Sequence, residues 1–412
     1  MKNILKKAVK KPELLLPAGN LEKLKIGILY GGDAFYMGFS PFSLRCKEGG
    51  FTKDDLLEGV KLVRKAGKTF YITMNAFPRS EKMEIIKKHI NFLRKEVKPD
   101  AIIVADPGVF EMIKEYYPEA VLHMSVQANV LNWRGVKFWK DHGASRIILP
   151  RELMLKDIKD ISEKVPGIEL EFFVHGAICM AYSGRCLLSN YMTGRDSNQG
   201  ACSHSCRWKY KVYLEEEKRP GQFMPVEEDS NGTYFMNSKD NCLLPYLKDL
   251  VDAGICSFKV EGRNKTEYYL ATVAKAYRRA IDDMLEGREF DKTLLNEVYK
   301  TANRGFIPGY LFGFPADNDI YYESSAPLQN YFFVGMIMER KSKGLYEVSV
   351  RNRLEKGQEV EIMAPGKQFS MKVEDLFDLE GKPVDTVHGG AGNRLFKLND
   401  GLEYGTMLRI KA

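Results

Sequence analysis

The 412-residue sequence lacks any long hydrophobic run and is poor in cysteine, histidine and tryptophan, with 7, 6 and 3 of these residues. No apolar stretch approaches the roughly 20 residues that a membrane-spanning helix needs. The lysine-rich start of the chain lacks the apolar segment and the small-residue cleavage site of a secretory signal. These absences predict a soluble, cytoplasmic protein without membrane association.

Several motifs of hydrolytic and redox enzymes are also missing. The sequence contains neither a G-x-S-x-G elbow nor an H-E-x-x-H helix, the common signatures of serine hydrolases and zinc peptidases. It also lacks a C-x-x-C pair, which argues against thioredoxin-like chemistry and against the usual structural zinc site. The net charge of +7 is compatible with a polyanionic partner but does not identify one.

Four of the seven cysteines lie in one stretch, residues 175–210, that is also rich in glycine, serine and asparagine. From Cys179 the spacing is C-x6-C-x15-C-x3-C, and 35 further residues separate this group from Cys242. Because a reducing cytoplasm disfavours disulfides, metal ligation or redox chemistry explains the group better. Zinc stays open, but iron–sulfur clusters accept thiolates from separated loops and suit this spacing better. Cys256, in an apolar strand, is expected to be a small buried residue, and Cys46 is a minor ligand candidate.

Short strand-like runs alternate with amphipathic helical segments from residue 13 onward. Eight such runs predict an α/β protein with a (β/α)8, TIM-like barrel. An open doubly wound sheet stays as the alternative, because periodicity does not show whether a sheet closes. The predicted strands are Glu13–Gly19, Asp33–Gly38, Thr69–Phe77, Ala101–Gly108, Val121–Val130, Arg146–Leu153, Leu170–Ala177 and Ile255–Gly262.

Two segments depart from this alternation. An inserted β excursion is expected between the cysteine stretch and the eighth strand. After about residue 325, closely spaced strands between Gly, Asn and Pro turns predict a small C-terminal β-barrel domain. The expected organisation is a basic tail over residues 1–12, a barrel over 13–325 that contains the cysteine segment 175–242, and a β-barrel domain over 326–412.

Polar residues alternate with apolar ones along the fifth predicted strand, VLHMSVQANV. Strands of a parallel barrel are normally apolar on both faces, so a polar stripe requires partners or a ligand. Since such barrels place their chemistry at the carboxyl ends of the strands, we expect the stripes to converge at the barrel mouth. An internal hydrogen-bond network is the alternative for any single residue. The residues in this pattern are His123, Ser125, Gln127, Asn129, Thr73, Asn75, Glu171, His175, Lys259 and Glu261.

At these residues the chain resembles the peptidase U32 family, the collagenase-like peptidases. The resemblance lies in EFFVHGAIC at 171–179, SGRCLLS at 183–189, KVEGR at 259–263, SVQANVLN in the fifth strand and PELLLPAGNLEKLKIGILYGGDAFYMG near the start. It extends over nearly the whole chain, including the C-terminal β domain. It implies a 4Fe-4S cluster and oxygen-independent hydroxylation of RNA or a quinone. The branch that the chain is most similar to helps to make 5-hydroxyuridine at the tRNA wobble position, with prephenate as a required metabolite.

The resemblance also implies a ligand set and partners. By motif position the cluster ligands are Cys179, Cys186, Cys202 and Cys242, and Cys206 stays open as a substitute for one of them. The implied partners are tRNA and a small carboxylated metabolite, prephenate, and a related protein subunit stays open as a third. Peptidase activity, hydroxylation of another RNA or small molecule, and a binding-only scaffold are the competing functions.

We expect the barrel mouth to hold both the metabolite and the target uridine. Arginines recognise carboxylates by two parallel hydrogen bonds, and unpaired bases stack on aromatic rings. The candidates for proton transfer or substrate orientation are His175, Glu261 and His123. The candidates for substrate binding are Arg45, Asn75, Gln127, Asn129, Arg185 and Arg263. The candidates for a stacking platform, with packing as their alternative role, are Tyr182, Tyr191 and Trp208.

Overall fold

The computed structural model describes residues 11–39, 51–177, 188–195, 203, 205, 228–229, 232–233, 239–313 and 328–412. Its N-terminal part contains twelve strands and ten helices in these ranges. The strands are β1 (Glu13–Ala18), β2 (Ala34–Gly38), β3 (Thr69–Met74), β4 (Ala101–Val104), β5 (Leu122–Met124), β6 (Arg146–Leu149), β7 (Glu169–Gly176), β8 (Glu228–Asp229), β9 (Gly232–Thr233), β10 (Asp240–Cys242), β11 (Ile255–Val260) and β12 (Phe306–Ile307). The helices are α1 (Leu21–Leu29), α2 (Lys53–Lys65), α3 (Met83–Phe92), α4 (Pro107–Tyr116), α5 (Trp133–Asp141), α6 (Leu155–Lys164), α7 (Leu188–Thr193), α8 (Leu247–Asp252), α9 (Glu267–Leu285) and α10 (Thr293–Tyr299).

Strands β1 to β7 and β11 run parallel and close into an eight-stranded barrel. Each strand pairs with the next along the chain, and β11 hydrogen-bonds to both β1 and β7. This double pairing closes the ring, so the predicted TIM-like barrel is confirmed and the open doubly wound sheet is excluded. Strand β10 extends the sheet by pairing antiparallel with the end of β7, and β12 pairs with β10.

The barrel helices begin at polar residues that the sequence supplies at the right positions. Asn20, Thr52, Asp106, Asn132 and Thr266 each accept a hydrogen bond from a backbone N–H of the first helical turn. Such caps satisfy donors that the helix itself leaves unpaired. Each of these helices follows a barrel strand along the chain, so the loops that lead from strand to helix lie at the carboxyl ends of the strands and form the barrel mouth. Over the described ranges, no helix combines the length and apolar character needed to cross a bilayer.

The predicted fifth strand, Val121–Val130, is wrong in its extent. The strand ends at Met124, a 3-10 turn covers Val126–Ala128, and Asn129 adopts a left-handed conformation with φ of 51°. The left-handed region is one that asparagine tolerates better than most residues. The apparent alternation therefore spans a strand and a turn, and it does not mark a continuous stripe.

The C-terminal part is an antiparallel β domain, as predicted. Eight of its strands form one sheet in the order β17-β16-β22-β13-β14-β21-β18-β19, and β15 pairs with β20. A separate hydrophobic core lies beneath this sheet. The strands are β13 (Tyr331–Ser342), β14 (Leu345–Val350), β15 (Leu354–Glu355), β16 (Glu359–Met363), β17 (Gln368–Lys372), β18 (Leu376–Phe377), β19 (Pro383–Val384), β20 (Thr386–Val387), β21 (Asn393–Lys397) and β22 (Met407–Lys411).

A buried arginine joins the C-terminal domain to the outer helices of the barrel. Arg409 of β22 is fully buried, and its Nη2 contacts Glu297 Oε2 of α10 at 2.6 Å and Glu361 Oε1 of β16 at 2.7 Å. The hydroxyl of Tyr30, at the end of α1, donates toward the carbonyl of Met363 at 2.9 Å. The domain thus packs on the outside of the barrel, against α1, α9 and α10.

Candidate active site

A cluster of amide side chains lies at the carboxyl ends of β3 and β5. Asn75 follows β3, and its Nδ2 donates to Gln127 Oε1 at 3.1 Å. Ser125 also hydrogen-bonds to Gln127, and Asn129 Nδ2 donates to the Gln127 carbonyl at 3.1 Å. The structure therefore brings together the three amides that the sequence singled out. The 3-10 turn after β5 places Gln127 within reach of Asn75, across the intervening strand β4, and Asn129 bonds to the backbone of the same turn.

An arginine and a glutamate face each other at the ends of β6 and β11. Arg151 Nη2 lies 3.4 Å from Glu261 Oε2, and the guanidinium carbon lies 3.8 Å from the centre of the Phe173 ring. Phe173 points into the barrel, where it belongs to a cluster of buried interior side chains. The mouth therefore has an aromatic floor with a cation on it. Glu261 is one of the predicted site residues, whereas Arg151 is not.

Beneath this floor an ion-pair network fills the barrel interior. Glu171 is fully buried, and its carboxylate contacts Lys259 Nζ at 2.7 Å and Arg146 Nη1 at 3.1 Å. Arg146 also pairs with Glu13 at 2.7 Å and with Glu169 at 2.7 Å. Burial alone lowers the pKa of Arg146, but the attraction of Glu13 and Glu171 outweighs it and raises the pKa. For Glu171 and Lys259, the internal network that was the alternative interpretation is what the structure contains.

The two predicted histidines occupy different surroundings, and both are held neutral. His123 lies inside the barrel, with its ring 4.8 Å from that of Tyr71. Burial, with Arg146 and Lys259 nearby, lowers the pKa of His123 well below its usual value. His175 packs against Tyr277, Tyr269 and Phe306 at the end of β7, and burial with nearby Lys265 lowers its pKa to about 3.

His175 also borders a small pocket beside the mouth. Asp240, Lys265 and Asn303 are among its other polar lining residues. A carboxylate, an ammonium group and an amide thus line the same pocket as this histidine. The pocket adjoins the end of β7, directly before the cysteine-rich segment.

Cys242 lies directly opposite His175 in the antiparallel pair of β10 and β7. Its thiol is buried 3.8 Å from the Tyr277 hydroxyl, and burial raises its pKa to about 11. Cys256 lies at the amino end of β11, where its thiol contacts the Leu170 carbonyl at 3.4 Å. Two of the cysteines are thus described, at opposite ends of the barrel strands.

The other predicted site residues have different standings in the structure. Arg263 is buried on the loop after β11, and its carbonyl accepts a hydrogen bond from Lys23 Nζ at 3.2 Å. Tyr191 lies on α7 and is 87% exposed, so its ring is accessible. The predicted residues that lie outside the described part of the chain are Arg45, Cys46, Cys179, Tyr182, Arg185, Cys186, Cys202, Cys206 and Trp208.

Sequence reasoning missed the two arginines that organise the barrel interior and its mouth. Arg146 begins a strand whose other residues are apolar, and a charge in such a buried run was the available signal. Arg151 follows the same strand after Pro150, at the position where barrel enzymes bind ligands. It was absorbed into a predicted strand that ran to residue 153 instead of ending at Leu149.

Comparison with known proteins gives a consistent result along the chain. A model of peptidase family U32 matches residues 19–321, and a model of the U32 C-terminal domain matches residues 329–409. The tRNA hydroxylation protein P of Haemophilus influenzae is 38% identical over 92% of this chain and 91% of its own length. The Escherichia coli protein of the same name is 37% identical over 92% of each chain. The tRNA hydroxylation protein P1 of Bacillus subtilis is 37% identical over 97% of this chain and 95% of its own.

Proposed function

Since this chain belongs to peptidase family U32, we propose that it is an enzyme that hydroxylates carbon 5 of the wobble uridine in tRNA, without molecular oxygen and with prephenate as co-substrate. The observation that carries the tRNA assignment is the agreement with relatives named for tRNA hydroxylation over 92% or more of the chain. This agreement includes both the barrel and the C-terminal domain, so it is more than a shared barrel fold.

The amide cluster at the mouth suits a base that has left its stack. An anticodon-loop uridine is unpaired, so a protein can splay it out without opening a duplex. Uracil presents alternating acceptors and a donor on its edge, and the amides of Asn75, Gln127 and Asn129 offer both kinds of group. We assign these three side chains to substrate binding, because Asn75 and Gln127 are hydrogen-bonded to each other and the Asn129 side chain is bonded to the backbone carbonyl of Gln127.

We assign a 4Fe-4S cluster to Cys179, Cys186, Cys202 and Cys242. Thiolates are the usual ligands of such clusters, and Cys242 is a buried thiol at the end of β7. Cys179 follows Gly176 by three residues, which span at most about 11 Å of chain. Ser189 and Ser203, three residues after Cys186 and one after Cys202, are hydrogen-bonded at 2.9 Å. The first observation keeps Cys179 close to the β7–β10 pair that contains Cys242, and the second keeps the neighbours of Cys186 and Cys202 together. A cluster held by these four thiolates would supply redox or Lewis-acid chemistry.

Among the proposed proton-transfer residues, Glu261 has the most suitable position. Its carboxylate faces the mouth beside Arg151, and 16% of the side chain is exposed, so solvent and substrate reach it. His175 and His123 have lowered pKa values, so each is a neutral hydrogen-bonding group in the folded enzyme. We therefore assign proton transfer to Glu261 and substrate orientation to His175, which borders the pocket at the end of β7. His123 is a candidate for the same roles from the sequence, but it pairs in register with Arg146 inside the barrel, away from the mouth.

A metal analysis tests the cluster. The protein purified without oxygen should contain close to four iron and four acid-labile sulfide per chain. Alanine at Cys179, Cys186, Cys202 or Cys242 should abolish both, whereas Cys206→Ala should retain them. Cys256→Ala is the matched control, because this thiol is partly buried, its burial also raises its pKa to about 11, and it lies at the other end of the barrel. Zinc alone, or loss of iron with Cys206→Ala, would contradict the assignment.

A nucleoside analysis tests the reaction. tRNA from cells that lack this protein should contain no 5-hydroxyuridine at the wobble position, and the wild-type gene should restore it. A cluster-free variant should not restore it. If a cluster-free variant does support the modification, the protein is a binding scaffold and the enzyme proposal fails.

The described residues favour this function over a thiol peptidase. Cysteine peptidases need an accessible thiol whose pKa is lowered by a neighbouring histidine. Cys242 lies opposite His175, but its thiol is 4% exposed and its pKa is raised, so it is a poor nucleophile. A peptidase assay with a collagen-derived substrate should therefore show no activity that depends on Cys242.

A further inference from the structure

An arginine at the barrel mouth lacks the partners that a structural arginine has in the same barrel. Arg151 is 9% exposed and begins the loop after β6. Its Nη2 reaches Glu261 at 3.4 Å, which is a long contact. Within the described part of the chain, Nε has no hydrogen-bond partner, and Glu261 is the one carboxylate within ion-pair distance.

Arg146, five residues earlier, provides the internal comparison. It makes four hydrogen bonds of 2.7 to 3.1 Å to the carboxylates of Glu13, Glu169 and Glu171. An arginine keeps its charge at all physiological pH and carries five N–H donors. A charge removed from water is stabilised only when carboxylates or other acceptors replace the water. Arg146 meets this condition, whereas among the described residues Arg151 has a single, distant carboxylate partner.

We propose that Arg151 binds a carboxylate group of the small-molecule co-substrate. The inference rests on the proposed function, because that function requires a carboxylated metabolite at the mouth. The guanidinium lies on the Phe173 ring at 3.8 Å, and this stacking fixes its plane. A fixed guanidinium edge presents two parallel N–H groups, which match the two oxygens of a carboxylate.

The depth of the site favours a small acid over an RNA phosphate. Phe173 belongs to the side chains that fill the barrel interior, so an anion on Arg151 has to enter the barrel. A compact metabolite enters such a recess more easily than the backbone of a folded RNA does. Lys259 also lies near Phe173, at 5.3 Å from the ring centre, but it is already paired with Glu171 at 2.7 Å. Of the two described cations at the Phe173 ring, Arg151 is therefore the one without a short ion pair.

Calorimetric titration of the full-length, anaerobically purified protein with prephenate tests the proposal. Arg151→Gln should weaken binding by about 10- to 100-fold, since it removes a charge-assisted pair of hydrogen bonds. Arg151→Lys keeps the charge but loses the second parallel hydrogen bond, so its affinity for prephenate should lie between those of the wild type and Arg151→Gln. Arg134→Gln is the matched control, because Arg134 also stacks on an aromatic ring, Trp133 at 4.6 Å, but is exposed on outer helix α5. Its affinity should equal that of the wild type.

Each outcome has a defined meaning. Equal affinities of wild type and Arg151→Gln overturn the proposal, as does a variant that loses tRNA affinity while it keeps prephenate affinity. If Arg151 has a purely structural role, Arg151→Gln should melt at a lower temperature than the wild type without ligand but bind prephenate with the same affinity. If the glutamine variant does not fold, the affinity and melting temperature of Arg151→Lys are compared with those of the wild type instead. If the wild type does not bind prephenate, the proposed co-substrate fails. Malonate, a small dicarboxylate, then tests the carboxylate site through the melting temperature of the protein. A rise in melting temperature with malonate in the wild type that is absent in Arg151→Gln supports the site, and no rise in the wild type overturns it.

Discussion

The ion-pair network inside the barrel gives a sharp prediction about stability. Glu171 is fully buried and contacts Lys259 at 2.7 Å and Arg146 at 3.1 Å, and these two cations have side-chain exposures of 5% and 7%. Glu171→Gln keeps the shape of the side chain but leaves Lys259 without its carboxylate. Removing one partner of a buried ion pair typically costs about 3–5 kcal/mol, because the other charge stays buried without compensation. We expect a loss of this size in the free energy of unfolding.

Glu169 supplies the matched control on the same arginine. Its carboxylate also pairs with Arg146 at 2.7 Å, but the Glu169 side chain is 42% exposed. When the Glu169 carboxylate is removed, Arg146 keeps its ion pairs with Glu13 and Glu171. Glu169→Gln should therefore cost less than about 1 kcal/mol. Urea unfolding followed by far-ultraviolet circular dichroism measures both variants, since the helical signal comes from the barrel. Equal losses for the two variants would refute the reasoning.

A double replacement separates the charge effect from the packing effect. When both Glu171 and Lys259 become methionine, no uncompensated lysine charge remains, and the two side chains fill a similar volume. Replacing a buried pair by apolar residues is often neutral or stabilising. The double variant should therefore be more stable than Glu171→Gln. If it is less stable, the loss in Glu171→Gln comes from packing, not from the unpaired charge.

Three further predictions concern other parts of the structure. Burial lowers the pKa of His89 from 6.5 to about 4, so the unfolded chain binds a proton there between these pH values that the folded chain does not. Stability therefore falls as pH falls through this window, and His89→Phe should remove up to about 1.4 kcal/mol per pH unit of that slope in urea unfolding at pH 7, 6 and 5; equal slopes would contradict this. Arg409→Leu removes the buried cation between Glu297 and Glu361, but both carboxylates keep Lys300 as a partner, so it should destabilise the protein by about 2 kcal/mol, less than an uncompensated buried pair would. Arg351→Leu removes a surface contact of 3.9 Å and should cost less than about 0.5 kcal/mol; equal losses for the two variants would contradict this. Gly176→Ala places a Cβ at a φ of +111° and only 2.8 Å from a side chain on the loop after β11. It should lower the melting temperature more than Gly143→Ala, which has a φ of +103° but nothing within 4 Å of its Cβ. Equal changes in melting temperature would mean that the loop after β11 moves to relieve the close contact.

The order of elements was predictable because each one carries a local signal. All eight barrel strands appear where apolar runs predicted them. Closure of the sheet was not predictable in the same way. It depends on the pairing of β11 with β1, whose residues are about 240 positions apart, as in Leu14 with Phe258. Periodicity along the sequence contains no information about such a contact.

The candidate site was predictable in part, for a similar reason. Asn75, Gln127 and Asn129 were found as polar residues in apolar surroundings, and the structure brings them together. The path between them was wrong, because a 3-10 turn and a short strand can produce the same alternation of polar and apolar residues. The sequence also does not show at which level along the barrel axis each polar side chain lies. Sequence alone therefore could not separate mouth residues from interior ones.

The two arginines on either side of β6 show what decides between a structural and a ligand-binding role. Both are buried, both lie near an aromatic ring of the barrel interior, and four residues separate them. Glutamates from β1 and β7 surround Arg146, because those strands also begin with acidic residues at the amino end of the barrel. At the carboxyl end, the part of the chain that the structure describes offers Arg151 one carboxylate, at 3.4 Å. The number of acceptors that the fold provides, more than the residue type or its burial, distinguishes a charge that holds the barrel together from one that awaits a substrate.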